Sequence, residues 1–176
     1  SLLSNSRIKN APVHKIEQEY FFEVINMSSV HKVNYKQLAI SLAISLGIGV
    51  LSGIITMMGM DDFKSANKPP LTPPDYLFPI VWTILFILMG ISAYIIYRSD
   101  ALEKSNALIV YGIQLLVNFF WPIFFFNMSA YLFSFIWIII LWLLIILMIK
   151  MFYPISKTAA LLQIPYLIWV TFAAYL

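Results

Sequence analysis

Beyond Tyr35 the chain is almost continuously apolar, interrupted only often enough to leave five stretches that each approach the length of a bilayer crossing. Crossing the hydrocarbon core takes about 20 apolar residues at about 1.5 Å rise per residue. The stretches are Leu38–Met58, Phe78–Tyr97, Ala107–Phe126, Tyr131–Ile149 and Thr158–Leu176. Helices of a soluble bundle would carry polar faces between the apolar ones, whereas these segments are apolar all round. The expected fold is therefore an all-α membrane protein, a bundle of five transmembrane helices. A strand within Leu38–Leu176, or four or six spans, would contradict it.

Composition agrees. Soluble domains hold roughly 25% charged and 45–50% apolar residues, and this chain holds 11% and 61%. Its 176 residues suffice for one helical domain without a separate soluble one. The net charge of +3 sits in flanks and loops, which is a topology signal and not a nucleic-acid footprint. With no cysteine there can be no disulfide, thiolate metal site or cysteine nucleophile. His14 and His31 both precede the first span, so no histidine can ligate haem or a metal within the membrane. No cofactor and no metal is expected.

Basic residues near span ends set orientation. Lys32, Lys36, Arg98, Lys104, Lys150 and Lys157 fall on one side of a five-span chain, and only Lys64 and Lys68 on the other. The N-terminus should thus be cytoplasmic, with the first loop and the C-terminus outside. Residues 1–36 form a polar N-terminal extension to the membrane domain of residues 37–176. The extension has no apolar run of signal-peptide length. Its stretch from Lys15 to Ile25 can form a short amphipathic surface helix, or Met27 is the start and what precedes it an upstream extension.

The first loop is distinctive. Lys68-Pro69-Pro70-Leu71-Thr72-Pro73-Pro74 packs four prolines into six residues. Each fixes φ and pushes its predecessor toward extended geometry, so the segment should be a stiff polyproline-like strap. Pro79 then opens the second span, where a missing N–H costs little.

Polar and aromatic residues mark one face of the third span. Gln114, Asn118 and Trp121 fall within a wedge of roughly 60° at about 100° per residue. Amides at membrane depth are costly unless satisfied, so the wedge should face the bundle, either as interhelical glue or as a ligand site. Pro122 cannot donate to the Asn118 carbonyl. Trp82 and Phe86 stand one turn apart on the second span, as do Trp169 and Ala173 on the fifth. Pro165 frees the Leu161 carbonyl and should kink the fifth helix. Gly49-Val50-Leu51-Ser52-Gly53 is a GxxxG pattern suited to close helix packing, within the bundle rather than between copies. No Asp, Glu, Lys, Arg or His lies within the core of any span, which argues against pumps, proton-coupled transport and voltage sensing. Triad, phosphate-loop, paired-carboxylate and metal-ligand spacings are missing too. What is left favours binding of an apolar molecule.

At these residues the chain resembles the TspO/MBR family, the translocator proteins or tryptophan-rich sensory proteins. The matching segments are Lys68-Pro69 with Pro73-Pro74, Phe78 and Trp82-Thr83, and Gly90. Next come Tyr111-x-x-Gln114-Leu115-x-x-Asn118-x-x-Trp121 with Phe124-Phe125, and finally Ala160-x-Leu162-x-x-Pro165-Tyr166-x-x-Trp169-x-x-Phe172-Ala173-x-x-Leu176. Leu71 stands where the family usually has tryptophan, and Asp62-Phe63-Lys64-Ser65-Ala66-Asn67 replaces its aromatic-acidic cluster. The family pattern continues beyond the Leu176 position, so the chain looks clipped there.

The resemblance implies a five-helix bundle, often a homodimer, that binds porphyrins such as protoporphyrin IX and drug-like ligands beneath the first loop. Helical phase and resemblance together nominate Trp82, Phe86, Gln114, Asn118, Trp121, Trp169 and Ala173 as the pocket lining. Lys68, Pro69, Pro73 and Pro74 form the loop over it. Tyr166 and Tyr175 have no basic residue after them, so the family's sterol pattern is unsupported. The expected function is an integral membrane porphyrin-binding protein in porphyrin homeostasis or stress sensing. The alternatives are light-dependent porphyrin breakdown, which would make it an enzyme, and porphyrin transport.

Overall fold

A computed structural model describes residues 33–65, 73–128 and 130–175, with side chains up to Met58 in the first stretch. The expected surface helix of Lys15–Ile25, both histidines, and Lys68, Pro69 and the rest of the strap before Pro73 lie outside the described residues. The elements are α1 (Tyr35–Ser65), α2 (Leu77–Arg98), α3 (Lys104–Pro122), a π-helical turn (Ile123–Asn127), α4 (Tyr131–Phe152), α5 (Lys157–Leu161) and α6 (Ile164–Tyr175). There is no strand among the described residues.

Five spans result: Tyr35–Met58, Leu77–Arg98, Lys104–Asn127, Tyr131–Phe152 and Lys157–Tyr175, every boundary within three residues of the sequence expectation. The α1 helix runs on to Ser65, past the expected end of the span at Met58. Nothing there stops it, because the first proline after Met58 is Pro69.

Helix α4 is the spine. It packs along α3, α5 and α6, while α2 packs against α3 and α5. The buried core draws Met89 and Ile96 from α2, Leu115 from α3, Ile145, Met148 and Phe152 from α4, Ala159 from α5, and Tyr166 and Val170 from α6. Helix α1 joins through small and polar residues. A Cβ on Gly90 would lie 3.1 Å from the Leu42 Cα and 3.1 Å from the Ser45 Oγ, so the two backbones approach closely at this glycine. At the same level Ser41 Oγ donates to the Gly90 carbonyl at 2.7 Å. Ser45 and Tyr111 hydroxyls bond at 2.5 Å, tying α1 to α3.

The GxxxG pattern divides in two. A Cβ on Gly49 would run into the Phe86 ring, so this glycine serves packing within the bundle as expected, while Gly53 has nothing within 4 Å.

The irregularity expected at Pro165 is present, and a second, not foreseen, follows Pro122. Ahead of Pro165 the fifth span breaks outright, with Leu162 and Gln163 in a turn between α5 and α6. After Pro122 the third span widens into the π-helical turn, closed by Met128 N–H donating to the Ile123 carbonyl at 3.0 Å. Near this proline Trp137 Nε1 donates to the Val117 carbonyl at 2.8 Å, which makes Trp137 an interhelical tie.

Candidate functional site

Three helices meet at Tyr166. Its hydroxyl donates to Gln114 Oε1 at 3.0 Å and accepts from Asn118 Nδ2 at 2.9 Å. Gln114 and Tyr166 are fully buried and Asn118 is 2% exposed. The α3 wedge therefore faces the bundle, and its amides act as glue between α3 and α6. Gln114 has a poorer partner for its own N–H: Nε2 points at the Met89 thioether, a weak acceptor, at 3.7 Å.

Aromatic rings gather on this polar cluster. The Trp82 ring meets Tyr166 edge-on at 6.2 Å and lies tilted against Phe86 at 5.8 Å. Phe86 is held from behind by the bare backbone of Gly49. One turn nearer the start of α2, Phe78 meets Trp169 edge-on at 5.9 Å, and Trp169 also touches Phe172. Trp121 stacks on Phe125 at 4.9 Å and meets Phe126 edge-on at 5.9 Å. Trp82, Trp121, Trp169 and Ala173 are partly buried and pack against the core.

The structure thus links Trp82, Gln114 and Asn118 through Tyr166, with Phe86 joined through Trp82. Trp121, Trp169 and Ala173 follow Asn118 and Tyr166 along parallel helices, toward the end where the first loop enters α2. Of the loop residues, Pro73 is half-buried and Pro74 exposed, its carbonyl accepting from Leu77 N–H at 2.9 Å to start α2. Tyr166 and Gly49 are the contributors that sequence reasoning left off the lining. Tyr166 shares a face with Trp169 and Ala173 by helical phase, so its position was available in the sequence.

Several buried polar atoms lack hydrogen-bond partners: the indole nitrogens of Trp121 and Trp169, and both ends of the Gln163 amide. Unpaired polar groups in an apolar interior are costly and uncommon.

The model of the TspO/MBR family matches residues 39–176, most of the chain, from within the first span onward. The chain belongs to the TspO/MBR family. Among relatives of this TspO/MBR protein, the tryptophan-rich protein TspO of Chlorobaculum tepidum is 37% identical, over 79% of this chain and 90% of that one. The protein of the same name from Archaeoglobus fulgidus is 35% identical over 82% and 94%. The translocator protein homolog of Schizosaccharomyces pombe is 32% identical over 65% and 73%. Family membership and five spans make the chain an integral, multi-pass membrane protein.

Proposed function

We propose that this protein binds porphyrins, protoporphyrin IX among them, in porphyrin homeostasis or stress sensing. In this reading the lining is Trp82, Phe86, Trp121, Trp169 and Ala173 above the floor of Gln114, Asn118 and Tyr166, beside the start of α2 that Pro73 and Pro74 lead into. Two unpartnered, buried indole N–H groups on Trp121 and Trp169 carry the reading. Aromatic walls complement a flat conjugated ring, and each indole N–H offers a donor to an acceptor on its periphery. The amides have a different part from the one their residue type suggests, because their bonds to Tyr166 hold the floor rigid.

Titration of the purified protein with protoporphyrin IX tests this. Saturable quenching of tryptophan fluorescence in the dark, with no loss of porphyrin absorbance, is expected. No saturable change would overturn binding. Porphyrin loss confined to illuminated samples would favour the degrading enzyme, and accumulation inside sealed vesicles would favour transport.

We further propose a cytoplasmic N-terminus. The start of α1, the ends of α2 and α4, and the starts of α3 and α5 share one end of the bundle, and Lys36, Arg98, Lys104, Lys150 and Lys157 lie there. Arg98 reaching Gln37 at 3.5 Å brings the start of α1 beside the end of α2. Protease accessibility of a terminal tag in oriented vesicles checks the orientation.

A further inference from the structure

The basic residues at the end of the bundle that holds the start of α1 fall into two groups. Around the α2–α3 connection charge is compensated. Arg98 reaches Gln37 Oε1 at 3.5 Å, Lys104 Nζ donates to the Ser99 carbonyl at 2.7 Å, and Asp100 and Glu103 lie between them in the chain. The α4–α5 connection has no such balance. After Glu103 the chain has no acidic residue. Lys150 and Lys157 are both exposed, and neither has an acidic partner among the described residues. Tyr153 gathers the two. Its N–H donates to the Ile149 carbonyl at 2.9 Å, so the winding of α4 carries on through it and sets its ring one turn from Lys150. The chain then turns back tightly, with Ser156 N–H donating to the Phe152 carbonyl at 2.7 Å. This brings Lys157 Nζ to 5.8 Å from the centroid of the Tyr153 ring. Two unbalanced ammonium groups thus flank one exposed aromatic ring.

Apolar surface continues from this cluster toward the bilayer middle. Leu143 and Leu147 extend the face of Lys150, and Leu161 that of Lys157, all three exposed. On the seam between α4 and the fifth span, Trp142 donates its indole N–H to Thr171 Oγ1 at 2.8 Å. It precedes Lys150 along α4 and lies about 12 Å deeper. A dissolved anion would meet the lysines alone, whereas a phospholipid meets both the charge and the apolar surface under it. A zwitterionic headgroup brings its own ammonium, so an uncompensated lysine pair selects a headgroup of net negative charge. We propose that Lys150, Tyr153 and Lys157 seat an anionic phospholipid, its phosphate between the two ammonium groups and an acyl chain along the seam past Trp142. This seat is on the outside of the bundle and depends on neither porphyrin binding nor orientation.

Brominated acyl chains quench tryptophan at close range, which makes Trp142 the probe. The full chain in phosphatidylcholine bilayers receives brominated phosphatidylglycerol or brominated phosphatidylcholine, and the ratio of their association constants is read from quenching. A lysine near a bilayer surface is worth about fivefold toward an anionic lipid, so the native protein should favour phosphatidylglycerol by about fivefold or more. Lys150→Gln combined with Lys157→Gln should bring the ratio close to one and leave the unfolding temperature in phosphatidylcholine unchanged. Lys150→Arg combined with Lys157→Arg keeps the charge and should keep the ratio. Lys36→Gln, exposed at the same end, should also keep it, and Trp142→Phe should remove the preference from the signal. A native ratio near one overturns the inference. So does an equal drop in the Lys36→Gln variant, which means diffuse surface charge, or a preference still seen without Trp142, which puts the lipid elsewhere. Loss of the preference in the arginine pair, or displacement of the lipid by inorganic phosphate, overturns it too. Should the glutamine pair fail to fold, the two single variants decide: each is expected to lower the ratio, and no change in either overturns the seat.

Discussion

The first span runs as one unbroken helix that buries Ser45 and Ser52 among its described side chains, whereas the fifth is cut in two and buries Ala159, Ala160, Gln163, Tyr166 and Val170. The first is held by Ser41 on the Gly90 carbonyl and Ser45 on Tyr111, contacts made by small hydroxyls at a bare backbone. The fifth brings Tyr166, Trp169 and Gln163 into the bundle, with Ser156 Oγ capping its first piece by accepting from Ala159 N–H at 3.3 Å. In hydrocarbon, apolar surface alone drives little association between helices. One span therefore uses its few polar atoms to attach itself, and the other uses them to build an interior.

The largest effect should come from the fifth span. Tyr166→Phe removes one hydroxyl and strands two buried amide ends, so a loss of about 2–3 kcal/mol in stability is expected, read from unfolding in mixed micelles. A loss below about 0.5 kcal/mol would mean the amides repartner easily and the interior is not rigid. Next, Trp169→Ala should weaken protoporphyrin binding by about 1–3 kcal/mol, by analogy with base–aromatic stacking, or roughly tenfold to a hundredfold. Trp137→Ala should leave affinity nearly unchanged while lowering stability, because that indole holds the Val117 carbonyl. Equal affinities in two folded variants would place Trp169 among structural residues.

Smaller effects belong to the first span. Gly90→Ala presses a methyl onto the Leu42 backbone and should cost about 1–2 kcal/mol. Ser45→Ala should cost about 0.6 kcal/mol, near the average for hydrogen bonds between membrane helices. Gly53→Ala is the control. With open space around it, the change should be neutral or stabilising by about 0.5 kcal/mol through helix propensity. A clear loss there would indicate that a second copy or another helix covers this face.

Apolar run length alone placed every span to within three residues, because hydrocarbon thickness imposes one length on each crossing. Helical phase likewise turned Gln114 and Asn118 inward. Periodicity along one helix carries no information about what faces it, so the choice of glue for those amides waited on Tyr166 from another helix. The two glycines of the GxxxG pattern are indistinguishable by spacing, and only the position of the Phe86 ring separates Gly49 from Gly53. Gln163 sat unnoticed between Leu162 and Ile164 for a similar reason. One amide in an apolar run has no partner in its own helix to give it away.

The π-helical turn at Ile123–Asn127 has a consequence for how such chains can change length. A π turn is in effect an α-helical turn with one residue added. Loss of a single codon among these five would return the segment to α-helical winding and turn Phe124, Phe125 and Phe126 to new directions. The Trp121–Phe125 stack would then come apart, while Gln114 and Asn118, which lie upstream, would keep their bonds to Tyr166. Few residues separate this turn from α4, so the neighbouring loop would absorb the shortening. One-residue length variation here would reshape the Trp121 side of the site without disturbing its floor.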